Sequence, residues 1–171
     1  ADLLLALKSR DLPIKKTEPM TNETLKNLAF FEAYFSNYIE GTKFLIEEAV
    51  QILFEHKIIA HRTDDSHDIL GTYQIVANKQ EMQTIPQTHE ELFHLLQKRH
   101  ASIMEGHPDK KPGIFKDTNN QAGNTLFVTP ELVRGTLIKG FLLYLTLEPG
   151  IARAIFMMFL IAEVHPFLDG N

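Results

Sequence analysis

The stretch Glu163–Asn171 reads EVHPFLDGN and gathers a histidine, a proline, an acid, a glycine and an amide within a few residues. Histidine is the usual side chain for taking a proton near neutral pH. Pro166 pushes the residue before it out of the helical region, so a helix leading into this stretch must stop at His165, where the ring can project into a cleft. Phe167 would turn inward and pin the loop to the core. Asp169 is a hard oxygen ligand, suited to a Mg²⁺ already held by phosphates. Gly170 permits a positive φ and lets the backbone approach a ligand closely. Asn171 can donate its side-chain amide to an anion, and a helix beginning just after it would complete an anion cradle with free N–H groups. A His-Pro step followed by Asp-Gly-Asn is also an ordinary helix stop and turn. Composition alone does not separate the two.

The elements that must position this loop follow from the rest of the chain. With 171 residues, 44% hydrophobic and 23% charged, it can bury the core of one compact domain. The formal charge is −5 and the pI near 5.9, which argues against a nucleic-acid backbone as a direct partner. There is no cysteine, so disulfides, thiolate zinc sites and cysteine nucleophiles are excluded. A cytoplasmic location is compatible with that. The N-terminal apolar run is too short for a signal peptide. Ile151 to Val164, the most apolar stretch, carries Arg153 and Glu163. It falls short of the roughly 18 to 20 apolar residues a membrane span needs, so it reads as a core helix and no membrane partner is expected.

Residues 1–20 read as a weak arm broken by Pro13 and Pro19. From about Asn22, the spacing of Leu25, Leu28, Ala29, Phe31 and Phe35 predicts a helix, ended by Gly41 as its C-cap. A second helix is expected over Phe44 to Glu55. A polar turn, RTDDSHD, leads to a third over Ile69 to Asn78. Thr88 caps a fourth, from His89 to about Met104. Pro and Gly punctuation then breaks the helical period. The β-prone NTLFV predicts a hairpin or extended flap within Phe115 to Thr129. Helical pattern resumes over Glu131 to Leu147, is broken at Pro149 and Gly150, and returns over Ile151 to Val164. The expected fold is all-α with one small β-hairpin. The remaining histidines do not share helix faces: His56 and His61, like His89 and His94, stand five apart, and there is no HExxH.

HPFLDGN resembles the signature of the Fic domain family, HPFx[D/E]GN[G/K]RxxR, at all seven positions that fall within the chain. Two further stretches support the resemblance. SNYIEG, Ser36 to Gly41, is similar to the inhibitory motif [S/T]xxxE[G/N], and its Ser36 and Glu40 share one helix face. PGIFKDTNNQAGNTLFVTP resembles the family's PGxFR segment and the flap that follows, with Lys116 where the family usually has arginine. The resemblance covers about residues 22–171, as a Fic-like domain with an N-terminal inhibitory helix at about 22–41, and leaves residues 1–21 as an arm. The two motif arginines would lie beyond Asn171. The chain therefore looks like a Fic domain cut within its anion-binding loop, and the resemblance implies that in this form it is inactive.

The resemblance implies a protein adenylyltransferase that moves AMP from ATP to a Tyr, Thr or Ser hydroxyl of a target protein. His165 would be the general base, Asp169 the ligand of Mg²⁺, and Gly170 and Asn171 nucleotide contacts. Phe167 would anchor the loop. Backbone at Leu126, Phe127 and Val128 would pair with the target segment. Glu40, supported by Ser36, would be a brake that pairs with the second motif arginine. A homodimer is compatible with all of this. The alternatives are a Fic relative that removes AMP or transfers phosphate, and a helical binding module without activity.

Overall fold

The computed structural model describes residues 2–12 and 20–171. Among them are eight α-helices and one two-stranded antiparallel sheet, so the fold is all-α with a small β-hairpin, as the hydrophobic periodicity implies. No described helix is long and apolar enough to cross a membrane. The described residues cluster into two compact units.

One unit is built on α2 (Asn22–Ile39), α3 (Ile46–Glu55), α4 (Thr63–Ala77), α5 (Lys79–Gln83) and α6 (His89–Ile103). Thr21 opens α2 by accepting the Thr24 N–H at 3.1 Å, and Thr88 opens α6 by accepting that of Glu91 at 3.3 Å. Caps of this kind are worth about 1 kcal/mol each. Phe30, Ala33, Phe44, Ala49, Ile52, Leu53 and Ile69 form the core where α2, α3 and α4 meet. On the other side of α4, Gly71 lies against α6, where a Cβ would sit 2.4 Å from the Ser102 carbonyl oxygen, so only glycine allows this approach.

The segment RTDDSHD is not a turn. Thr63 already opens α4, six residues before the apolar pattern begins at Ile69. Asp64 and Asp65 sit in the first turn, where the helix dipole favours negative charge, and Arg62 ties back to Asp65 at 2.9 Å. A solvent-facing first turn has no hydrophobic period, so it reads as a loop. Helix α5 also went unseen. Asn78 opens it, with its Oδ1 accepting the N–H groups of Gln80 and Glu81, both at 3.1 Å. The helix is only five residues long and buries none of them.

The other unit holds α1 (Asp2–Ser9), the hairpin β1 (Gln121–Ala122) and β2 (Thr125–Leu126), α7 (Pro130–Leu145) and α8 (Ile151–Val164). The expected weak arm begins as a helix: α1 packs on α8 and buries Leu7. Pro13 and Pro19 lie outside the described residues. Pro130 takes the first helical position of α7, where its missing N–H costs nothing. Gly140 lets α7 and α8 touch, since a Cβ there would meet the Leu160 side chain at 2.4 Å. The α7–α8 turn is closed by Arg153, which donates to the carbonyls of Leu147 at 2.9 Å and Leu145 at 3.3 Å. On α8, Ala152, Phe156, Leu160 and Val164 are buried at a strict spacing of four. Each of the larger three contributes about 1.5–3 kcal/mol of burial, so the helix is a firm base for whatever its end carries.

Candidate active site

Helix α8 ends at His165, which takes a left-handed conformation at φ 45° while its N–H still closes the last turn on Ile161 at 2.9 Å. For a residue other than glycine this conformation costs roughly 1–2 kcal/mol. It turns the chain sharply away from the helix axis, and Pro166 prevents the helix from resuming. Pro166 and Phe167 are then buried, with the Phe167 ring 5.2 Å from that of Phe115.

The imidazole of His165 is fixed on two sides. Its Nδ1 lies 2.7 Å from the Ala162 carbonyl oxygen. A carbonyl can only accept, so Nδ1 carries the hydrogen, and in the neutral ring Nε2 is left with the lone pair. Phe127 stacks flat on the ring, with centroids 3.5 Å apart and planes within 5°. Phe127 follows β2 directly. Its N–H donates to the Asn120 carbonyl at 3.3 Å, which ties the base of the hairpin. Gln121 pairs with Leu126 and Ala122 with Thr125, across a Gly123–Asn124 turn in which Gly123 has φ 56°. A two-residue turn that starts with a positive φ is the hairpin turn that matches strand twist. Leu126 is exposed and Val128 half-buried.

The loop beyond His165 closes on itself. Asn171 Oδ1 accepts the Phe167 N–H at 2.7 Å, and Asn171 Nδ2 donates to the Phe167 carbonyl at 3.1 Å. Between them Gly170 has φ 61°, and Asp169 and Gly170 are exposed. No local pattern marks Asn171 as a brace of the loop. Among the described residues no three acidic or histidine side chains form a metal cage.

Two further residues belong to this region: Lys116, noted above only for its place in the PGxFR-like segment, and Asn120, which no motif marks. Lys116 is buried, with Nζ donating to Asn120 Oδ1 at 2.6 Å and to the Val164 carbonyl at 3.3 Å. Burial pulls its amine below the ordinary lysine value. Asn120 Nδ2 donates to the Phe167 carbonyl at 2.8 Å. The available signal was Lys116 itself, at the arginine position of the PGxFR-like segment.

Ser36 and Glu40 belong to the other unit. They sit one turn apart at the end of α2, and both are exposed. Glu40 is the C-cap residue, with its N–H on the Ser36 carbonyl at 3.3 Å. Its carboxylate makes no salt bridge among the described residues.

Fold and loop together describe a helical protein that presents one histidine, its ring stacked on the Phe127 that follows a β-hairpin, four residues before an exposed aspartate. The Fic/DOC family model matches residues 92–171, a stretch that opens within α6 and takes in the hairpin, α7, α8 and the His165 loop. The match supports a Fic domain over that stretch, of a family whose members transfer nucleotide-derived groups. Among curated proteins, none matches the chain.

Proposed function

We propose that the protein is a Fic-type adenylyltransferase, moving AMP from ATP to the hydroxyl of a Tyr, Thr or Ser side chain on a target protein. The observation that carries this reading is the His165 imidazole, held by Ala162 and Phe127 so that Nε2 is the proton acceptor. In the reaction the target hydroxyl gives its proton to Nε2 as its oxygen attacks the α-phosphorus. The new O–P bond forms as the bond to pyrophosphate breaks. A positioned base of this kind contributes about 10²–10⁴ in rate.

The remaining groups have roles that fit their settings. Gly170 brings backbone close to the nucleotide through its positive φ. Asn171 uses one hydrogen of its amide to brace Phe167, which leaves the second for a phosphate oxygen. Asp169 is exposed, and its carboxylate would be the protein's ligand to a Mg²⁺ that phosphates also hold. When bound, that ion neutralises phosphate charge. The outer edge of β2 is unpaired in the two-stranded sheet, and it can take an extended target segment as a further strand. Glu40 acts as a brake on this activity. A carboxylate at a helix C-terminus faces the negative end of the dipole and is better placed beside a cation. On this reading the cation is the second motif arginine that the Fic resemblance implies.

Labelled ATP tests the reading. The intact protein is incubated with ATP carrying ³²P at the α position and, separately, at the γ position. Label reaching protein from the α position alone is the expected result. Label from the γ position alone would mean phosphate transfer. Label from neither, with the Glu40→Gly variant equally silent, would mean a binding module.

A further inference from the structure

We propose that Lys116 and Asn120 are positioning residues for His165, a polar bracket that sets the orientation of its imidazole. The inference rests on the assignment of His165 as the base. Three carbonyls flank this histidine in the chain, those of Val164, Pro166 and Phe167, and residues 116 and 120 donate to all three. Lys116 Nζ reaches Val164 at 3.3 Å, the Lys116 backbone N–H reaches Pro166 at 2.9 Å, and Asn120 Nδ2 reaches Phe167 at 2.8 Å. The two brackets are joined, because Lys116 Nζ also donates to Asn120 Oδ1 at 2.6 Å.

The same pair controls the ring that lies on the imidazole. The Asn120 carbonyl accepts the Phe127 N–H at 3.3 Å, and Lys116 Nζ stands 6.0 Å from the centre of the Phe127 ring. So the backbone on either side of His165 and the aromatic face against its ring are both referred to Lys116 and Asn120.

Charge explains why a lysine is buried here. The end of α8 presents unsatisfied carbonyls and the negative end of its dipole, and its last turn contains no basic residue of its own. Lys116 supplies the missing cation from another part of the chain. The left-handed backbone at His165 is a conformation that persists only where its surroundings over-determine it. Three donated hydrogen bonds around one residue do so.

The test compares Lys116→Met, Lys116→Arg and Asn120→Ala in the intact protein, by ATP kinetics and by ¹⁵N NMR of the His165 imidazole. Methionine keeps the length and apolar stem of lysine but donates nothing. Small misplacements of a reacting group cost about 10² in rate, so Lys116→Met should lower kcat by roughly ten- to a hundredfold, with KM for ATP within about threefold of the parent. The parent imidazole should show a hydrogen on Nδ1 only, and Lys116→Met should show a mixture of tautomers. Lys116→Arg should restore the single tautomer and most of kcat, because it keeps the charge and the donors. Asn120→Ala should give a smaller loss of the same kind. It also decides the matter if Lys116→Met does not fold. Folded variants that keep the parent kcat and a single Nδ1–H signal would overturn the proposal. Should His165→Ala itself keep full transfer, the assignment of the base is wrong, and the tautomer signal still judges the bracket on its own.

Discussion

The end of α8 and the end of α2 are both helix terminations, and they differ in where their partners come from. At α8, besides the local bonds of His165 N–H to Ile161 and of Asn171 to Phe167, the carbonyls of Val164, Pro166 and Phe167 accept from donors some fifty residues away in sequence. At α2 the chain closes on its own backbone: Glu40 N–H on Ser36 at 3.3 Å, Gly41 on Tyr38 at 3.2 Å, and Thr42 on Asn37 at 2.9 Å, with Gly41 at φ 104°. The last of these bonds is the long-reach closure of a glycine-terminated helix. A terminus held from elsewhere in the fold fixes the direction of a side chain. A terminus closed on itself leaves its side chains, here Ser36 and Glu40, exposed for something else to engage. On the proposed function, the first suits a base and the second suits a brake.

The strongest way to break this contrast is at the base. His165→Ala in the intact protein should lower label transfer by about 10²–10⁴, with the far-ultraviolet circular dichroism unchanged. Near-parental transfer with an unchanged pH profile would remove His165 from the chemistry. At the other terminus the sign reverses. Glu40→Gly should raise modification at matched ATP and Mg²⁺ by roughly tenfold, equivalent to about 1.4 kcal/mol in barrier or population. Equal activity of the two proteins, with the parent already fast, would leave SNYIEG as a plain helix end.

A third variant attacks the support behind the loop. Gly140→Val places methyl groups where Leu160 already sits, and overpacking of this kind costs about 1–3 kcal/mol. The melting temperature should fall, and transfer should fall with it, since α8 carries His165. A parental melting temperature would show that α7 and α8 can separate without penalty.

The smallest expected effect lies behind the self-closed terminus. Helix α4, on which α2 packs, is tied by Asp68 to His107 at 2.8 Å. Burial lowers the His107 pKa, but the hydrogen bond and charge of Asp68, with Asp64 and Asp109 behind them, more than offset this and hold the imidazole above its ordinary 6.5. Burial likewise raises the Asp68 carboxyl, with His107 partly opposing. For His107 the folded value exceeds the unfolded one. Its contribution is therefore complete below about pH 6.5 and is lost as pH rises through the raised value. Urea midpoints should decline between pH 6 and 8.5 by less than about 1 kcal/mol in stability, and Asp68→Asn should flatten that decline. A decline of the same size in the variant would dissociate it from this pair.

What was legible in the sequence divides along the same line. Helices with a buried stripe announced themselves. The bounds of α8 are those that the apolar run and the His-Pro step predict, and α6 starts at the residue after Thr88. The hairpin fell within the expected flap because Gly123 and a β-prone run mark it. Elements stabilised by polar bonds were missed: the first turn of α4, held by Arg62 and Asp65, and α5, opened by Asn78. The end of α8 at His165 was legible because a proline sets it. The partners of the loop that follows could not be read, because Lys116 and Asn120 reach it only after the chain has folded back from α8. No local pattern encodes which carbonyl a distant lysine will find.

The left-handed backbone at His165 has an evolutionary side. Glycine adopts that conformation without steric cost, which histidine does not. Selection for folded protein alone therefore favours glycine at position 165, while on the proposed function selection for transfer holds histidine there. In a mutational library sorted by abundance in the cell, Gly should be enriched at 165. In the same library sorted by transfer, it should disappear. A position where the two rankings oppose each other is one that the protein keeps for chemistry at the expense of its own stability.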